Sequence, residues 1–157
     1  MCPIVMLTAT APPEMLSKIA AVCGSDMQGL EVHRGDPCRP ELKLKVVHSR
    51  FVRGPAVAGE VISLEQRMKY GGEAYARVVV VCLTTEEADE VGRDVKNMSK
   101  KAEVLVYHSK RDARVRECAM RRWQKDLEKG IPRVVVATEG FTTGTDAGSV
   151  RRVVFGG

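Results

Sequence analysis

The chain has 157 residues, of which 44% are hydrophobic and 29% charged, and a net charge of +5. This length suits one globular domain, or one domain and part of a second. No apolar run approaches the roughly 18 residues of a membrane span, and no basic region leading into a long apolar core marks a signal peptide. The expectation is an intracellular protein with no membrane partner, cytoplasmic or, in a eukaryote, nuclear. Five cysteines (Cys2, Cys23, Cys38, Cys82, Cys118) form an odd set without a C-x-x-C pair, which argues against a disulfide framework and against a zinc site.

Residues 3–10 read as a short apolar strand ending in Thr-Ala-Thr. Pro12 and Pro13 then open a helix to about Val22, proline being tolerated in a first helical turn. Residues 24–41 are rich in Gly, Asp, Arg and Pro, lack periodicity and read as a linker. Residues 42–48 alternate apolar with basic side chains, as a half-buried strand does. A helix over residues 57–68 ends at Gly71-Gly72. Residues 78–83 are a fully apolar strand. Thr84 or Thr85 then caps a helix with Glu86, Glu87 and Asp89 in its first turn, where the helix dipole favours acids. Residues 102–107 form the next strand. A helix over residues 111–128 carries Val115, Ala119, Trp123 and Leu127 at four-residue steps, with Gly130 closing it. Residues 133–137 are again a strand. This alternation predicts right-handed βαβ units and an α/β fold, with residues 42–155 in one parallel sheet covered on both faces. Residues 1–23 are expected to form a separate strand and helix.

The most informative stretch is 134–157, VVVATEGFTTGTDAGSVRRVVFGG. A buried strand ends in Ala137-Thr138, a loop of small polar residues follows with Gly144 and Asp146, and a second β-rich run covers 150–155. Open parallel sheets build phosphate and nucleotide sites in this way, with ligands at the carboxyl ends of the strands. Charge is also localised, since residues 96–133 hold twelve Lys and Arg against five Asp and Glu. That block is either a solvated helix face or a phosphate-tracking surface whose binding weakens with salt as counterions are released.

Taken in order, these pieces resemble the RecQ-like superfamily 2 DNA helicases. Residues 7–12, LTATAP, resemble helicase motif III at the end of the first RecA-like lobe. Arg39-Pro40-Glu41-Leu42 resembles the R-P-N-L junction, with Glu41 in place of asparagine. Residues 78–90 are similar to motif IV, Tyr107-His108-Ser109 resembles the Y-H-A/S element, and the stretch from Val134 resembles motif V. There Thr142 replaces a glycine and Thr145 an isoleucine, and threonine resists the positive φ that glycine allows. The resemblance implies a P-loop NTPase-like architecture: residues 1–23 from the end of a first lobe, 24–41 as linker, and 42–157 as a second RecA-like lobe, incomplete at its C-terminus.

The resemblance further implies a 3′-to-5′ DNA helicase that uses ATP and Mg²⁺, works in recombination or repair, and has as partners DNA, as a single strand or duplex junction, and a first RecA-like lobe. Gly144 and Asp146 would bind the cofactor, Asp146 at the ATP ribose. Thr138, His108, Ser109 and Lys110 would contact DNA, and Thr8 and Thr10 would couple ATP state to the strand. The residues alone leave other readings open. Asp146 caps a short turn, Thr138 satisfies its own strand end, and Thr8 and Thr10 cap local backbone. His108 is a helix-entry residue without a nucleophile beside it. Trp123 belongs to the apolar stripe or else stacks on a base, and 4% aromatic content argues against a stacking platform.

Neither G-x-x-x-x-G-K-[ST] nor a D-E-x-H box occurs in these residues, and Q-x-x-G-R-x-G-R does not follow Phe155. Those parts bind phosphate, hold magnesium and supply an arginine finger. No catalytic residue and no metal ligand is therefore assigned. Two functions stay open: a motor lobe of a RecQ-type helicase, and a catalytically inert truncated remnant that at most binds nucleic acid non-specifically. A plain doubly wound nucleotide-binding domain is weaker, because no G-x-G-x-x-G follows a strand.

Overall fold

The structure, a computed structural model, describes residues 5–8, 12–24, 28–29, 31–36, 39–46, 53–72, 74–141 and 147–155. The chain divides into two compact units, residues 1–45 and 46–157. In the first, helix α1 spans Pro13–Val22, with Pro12 as its extended N-cap and Cys23 donating its N–H to the carbonyls of Ile19 and Ala20. Gly24 follows at φ 68°, the left-handed conformation that ends helices.

Neither of two expected strands is seen among the described residues of its run. Residues 5–8 and 42–46 have no regular structure, and Val5, Leu7, Leu44 and Val46 are exposed. The remainder of both predicted runs lies outside the described residues. Alternation or apolarity prepares a segment for a sheet, but a strand forms only where a neighbouring ladder takes its N–H and C=O groups.

The second unit is α/β. Its elements run α2 (Arg53–Tyr70), β1 (Arg77–Cys82), α3 (Thr85–Met98), β2 (Glu103–Tyr107), α4 (Ala113–Gln124), β3 (Arg133–Thr138), a 3-10 turn (Glu139–Phe141) and β4 (Val150–Phe155). The four strands form one sheet in the order β2-β3-β1-β4, and each observed pairing is parallel. The runs RVVVVC and RVVVAT are the two central strands and are buried on both faces, as an uninterrupted valine run requires. On one face α2 and α3 cover Val78, Val80, Cys82, Val134 and Val136. On the other, Ala119 and Trp123 of α4 pack with Phe141 over Val79, Val81, Leu105, Val135 and Ala137. Among the described residues no helix is long and apolar enough to cross a membrane.

Helix α3 starts where the sequence says it should. Thr84 is its N-cap and accepts a hydrogen bond from the Glu87 N–H at 3.1 Å, while the Glu87 carboxylate accepts from the Leu83 N–H at 3.0 Å. Its buried positions, Ala88, Val91, Gly92 and Val95, follow the helical repeat. A Cβ on Gly92 would lie 2.4 Å from Val106 Cγ2, so glycine is what lets α3 approach β2 this closely.

Helix α4 is shorter than predicted, beginning at Ala113 and ending at Gln124, so Leu127 lies outside it. Two arginines from the amino ends of the central strands account for the early stop. Arg77 donates from Nε to Trp123 O at 3.1 Å, from Nη2 to Lys125 O at 2.9 Å and from Nη1 to Gly148 O at 2.5 Å. Arg133 donates to Lys125 O at 2.6 Å and Asp126 O at 3.4 Å, and its Nε pairs with Glu103 at 2.6 Å. In a longer α-helix the Trp123, Lys125 and Asp126 carbonyls would accept from N–H groups four residues on. Here the arginines take them, and buried Arg77 also lies over the Trp123 ring, 5.6 Å from its centroid.

Removing this guanidinium leaves the buried Trp123 carbonyl without its side-chain donor and Lys125 O with Arg133 alone. Charge-assisted hydrogen bonds of this kind are worth roughly 1.5–3 kcal/mol each. Arg77→Met is expected to lower unfolding stability by about 3 kcal/mol or more in urea titration, whereas Arg121→Ala, at an exposed pair on α4, leaves the midpoint unchanged within error.

Candidate nucleic-acid interface

Parallel strands bring their carboxyl ends to one edge of the sheet. Cys82 pairs with Thr138 across β1 and β3, and Tyr107 pairs with Ala137 across β2 and β3. His108, the residue after β2, therefore comes level with Thr138. Beyond this edge β1 passes to α3 on one face, while β2 and β3 pass to α4 and Phe141 on the other. The connections diverge between β1 and β3, which is where open α/β sheets form their ligand crevice. Thr138 stands at that point, partly exposed.

The β2–α4 turn carries the other candidates. Ser109 and Lys110 are exposed, whereas His108 is buried, 3% accessible. The imidazole Nε2 lies 3.1 Å from Asp89 Oδ1 and 3.3 Å from Arg111 Nε, and the Arg111 Nη2 donates to the same Asp89 oxygen. His108 Nδ1 is buried without a hydrogen-bond partner. The turn thus groups Ser109, Lys110 and Arg111 with the buried histidine. The turn is completed by Asp112, the α4 N-cap, whose carboxylate accepts from the Arg114 N–H at 2.8 Å.

Electrostatically the edge is paired. Lys110 Nζ bonds Glu86 Oε1 on the first turn of α3. That contact, the backbone and Thr85 hold the Glu86 carboxyl down to about 2. For Asp89, burial works to raise the pKa, but hydrogen bonds from His108 and Arg111 and the Arg111 charge outweigh it, and the carboxyl sits below its ordinary value.

Several cations of the basic block of residues 96–133 have partners. Arg133 is buried in the α4 clasp, Arg121 pairs with Glu117 at 2.6 Å and Arg122 with Glu103 at 3.0 Å. Trp123 is 2% exposed and stacks edge-on against Phe141 at 5.7 Å, which settles it as core and removes it as a base-stacking surface. Phe141 also meets Tyr107 at 5.2 Å, so the aromatic residue of the motif V stretch anchors the exit of β3 in the core.

Gly144, Asp146 and Thr10 lie outside the described residues. Thr8 is exposed in the first unit. Asp89 and Arg111 were not legible as site residues. Asp89 reads as an ordinary first-turn acid and Arg111 as one of many basic residues, and the crossover from β1 to β2 is what makes them neighbours. Among the described residues no phosphate cradle for a nucleotide is present. Glu86 and Glu87 occupy the first turn of α3, and like charge there opposes an anion that a bare helix N-terminus would attract.

A four-stranded parallel sheet flanked by helices is consistent with a RecA-like, P-loop NTPase-like lobe. Residues 62–157 match the helicase conserved C-terminal domain, and the chain belongs to that family. The match is consistent with the C-terminal lobe of a superfamily 2 helicase and does not single out the RecQ type. No curated protein and no solved structure matches the chain. Family membership implies nucleic acid as partner, and ATP with Mg²⁺ in the full enzyme.

The Lys110–Glu86 pair gives a direct check. A carboxyl whose pKa is lowered from 4.5 to about 2 contributes stability above about pH 4.5, lost as the pH falls through about 2. Carbon-detected NMR titration should find Glu86 titrating well below the other exposed glutamates, and Lys110→Ala should return it to the ordinary range.

Proposed function

We propose that this chain is the second motor lobe of an ATP-dependent 3′-to-5′ DNA helicase of RecQ type, acting in unwinding, recombination or repair. In this reading residues 1–23 close a first RecA-like lobe, residues 24–41 link the lobes and residues 42–157 form the second, working in the nucleus of a eukaryote or the cytoplasm otherwise. The observation that carries it is the order of the motif-like pieces, from Thr8-Ala9-Thr10 through Tyr107-His108-Ser109 to the Thr138 loop, along a chain whose residues 62–157 belong to the helicase C-terminal family. Thr138, Ser109 and Lys110 take the strand phosphates, contacts that position nucleic acid without reading its sequence. Gly144 and Asp146 meet the ATP ribose, and Thr8 and Thr10 relay the nucleotide state. Phosphate binding and magnesium fall to the first lobe.

The second reading, an inert remnant with weak non-specific affinity, draws on the pairing of Lys110 and Arg111 with carboxylates, which lowers the free positive charge at the edge.

The 157-residue chain alone is expected to release no phosphate from ATP, with or without saturating single-stranded DNA. Turnover above a matched blank, abolished by Asp146→Ala, would require a catalytic site of another kind. Binding is tested by fluorescence anisotropy of a labelled single strand across a salt series, with affinities of roughly 10⁻⁴–10⁻⁶ M expected near physiological salt. Lys110→Ala should flatten the log–log slope by about 0.7, the increment for one phosphate on a single strand. Arg121→Ala, on the outer helix face, should not. Equal effects mean diffuse attraction, and salt-independent binding overturns the electrostatic reading.

A further inference from the structure

The two cations of the β2–α4 turn are held differently. Lys110 and Glu86 are both largely exposed, at 66% and 71%, so their pair is solvent-screened and readily exchanged. Arg111 is more constrained: its side chain is 39% exposed, and Asp89 and the buried His108 grip it from within. Those contacts use its Nε and Nη2. Its Nη1 makes no hydrogen bond among the described residues.

We propose that Arg111 is a phosphate-binding residue of this edge, and that Asp89 and His108 are its positioning residues. The inference deepens the nucleic-acid reading above and rests on it. A guanidinium is a planar fork, and its donors match phosphate oxygens only if the plane is fixed. The Arg111 Nη2–Asp89 bond holds this one in either tautomer of His108. The ring adds one contact at a time: a protonated Nε2 donates to Asp89, or an unprotonated Nε2 accepts from Arg111 Nε. The ligand is a phosphodiester backbone. Arg111 lies on the same turn as exposed Ser109 and Lys110, and the α4 N-terminus that follows carries one carboxylate, its N-cap Asp112, already engaged by the Arg114 N–H. An arginine held through Nε and Nη2 beside such an edge, with Nη1 making no hydrogen bond among the described residues, is pre-organised, so less rotamer entropy is lost on binding.

The test uses the full chain, a labelled single-stranded oligonucleotide and anisotropy over a salt series. Arg111→Ala should weaken binding roughly five- to tenfold at low salt and flatten the slope by about 0.7, with an unchanged melting temperature as the control for folding. Arg111→Lys keeps the charge without the fork, and should retain the slope while losing affinity. Asp89→Asn should weaken binding in the parent chain and have no effect in the Arg111→Ala background. Tighter binding by Asp89→Asn would mean that the carboxylate masks the arginine, which overturns the proposal. A slope that responds to Lys110→Ala but not to Arg111→Ala overturns it while leaving the nucleic-acid reading standing, and a chain that binds no single strand at all overturns both.

Discussion

The clasp of Arg77 and Arg133 on the carbonyls of Trp123, Lys125 and Asp126 is the constraint on which the second unit depends. Burying two guanidinium groups at the amino edge of a sheet is costly unless their donors are used. The end of a helix offers several carbonyls without intrahelical partners, and the two deficits cancel. Arg77 also binds the turn into β4 through its backbone N–H to Ser149 O at 2.8 Å and its side chain to Gly148 O. One residue of β1 thus holds α4 on one side and β4 on the other.

The effect reaches the opposite edge through helix geometry. Helix α4 runs antiparallel to the strands, and its twelve residues cover about 18 Å at 1.5 Å per residue, close to the length of the strands it crosses. Its far end is pinned by the arginines and its middle by Ala119 and Trp123 over Val135 and Ala137. The turn from His108 to Asp112 is therefore set at the carboxyl edge by contacts made at the amino edge. Phe141, wedged against Tyr107 and Trp123, ties the exit of β3 to the same core.

Charge at that edge is arranged in pairs across α3 and the β2–α4 turn. Net basicity over a segment is therefore a poor guide to the charge a ligand feels. Glu86 and Asp89 sit near Lys110 and Arg111 because the β1–α3–β2 crossover returns α3 beside β2, with β3 inserted between the two strands later in the chain.

The sequence by itself determined the elements whose signals are local. The valine runs of β1 and β3 read as strands buried on both faces because each side chain, up or down, is apolar. Thr84 or Thr85 read as a cap because a hydroxyl there needs only the N–H three residues on, and Gly71-Gly72 read as a stop, whereas Gly130 lies beyond the end of α4 at Gln124 and does not close it. The ordered motifs pointed to a helicase lobe, at the level that the family match supports. Tertiary structure alone decided where strands formed, and so residues 5–8 and 42–46 have no regular structure despite their patterns. It also decided where α4 ended, because arginines distant in sequence compete for its last carbonyls. It took Trp123 and Arg133 into the interior and brought Asp89, His108 and Arg111 into contact. These outcomes depend on groups separated by many residues along the chain, and no local rule of spacing or propensity carries that information.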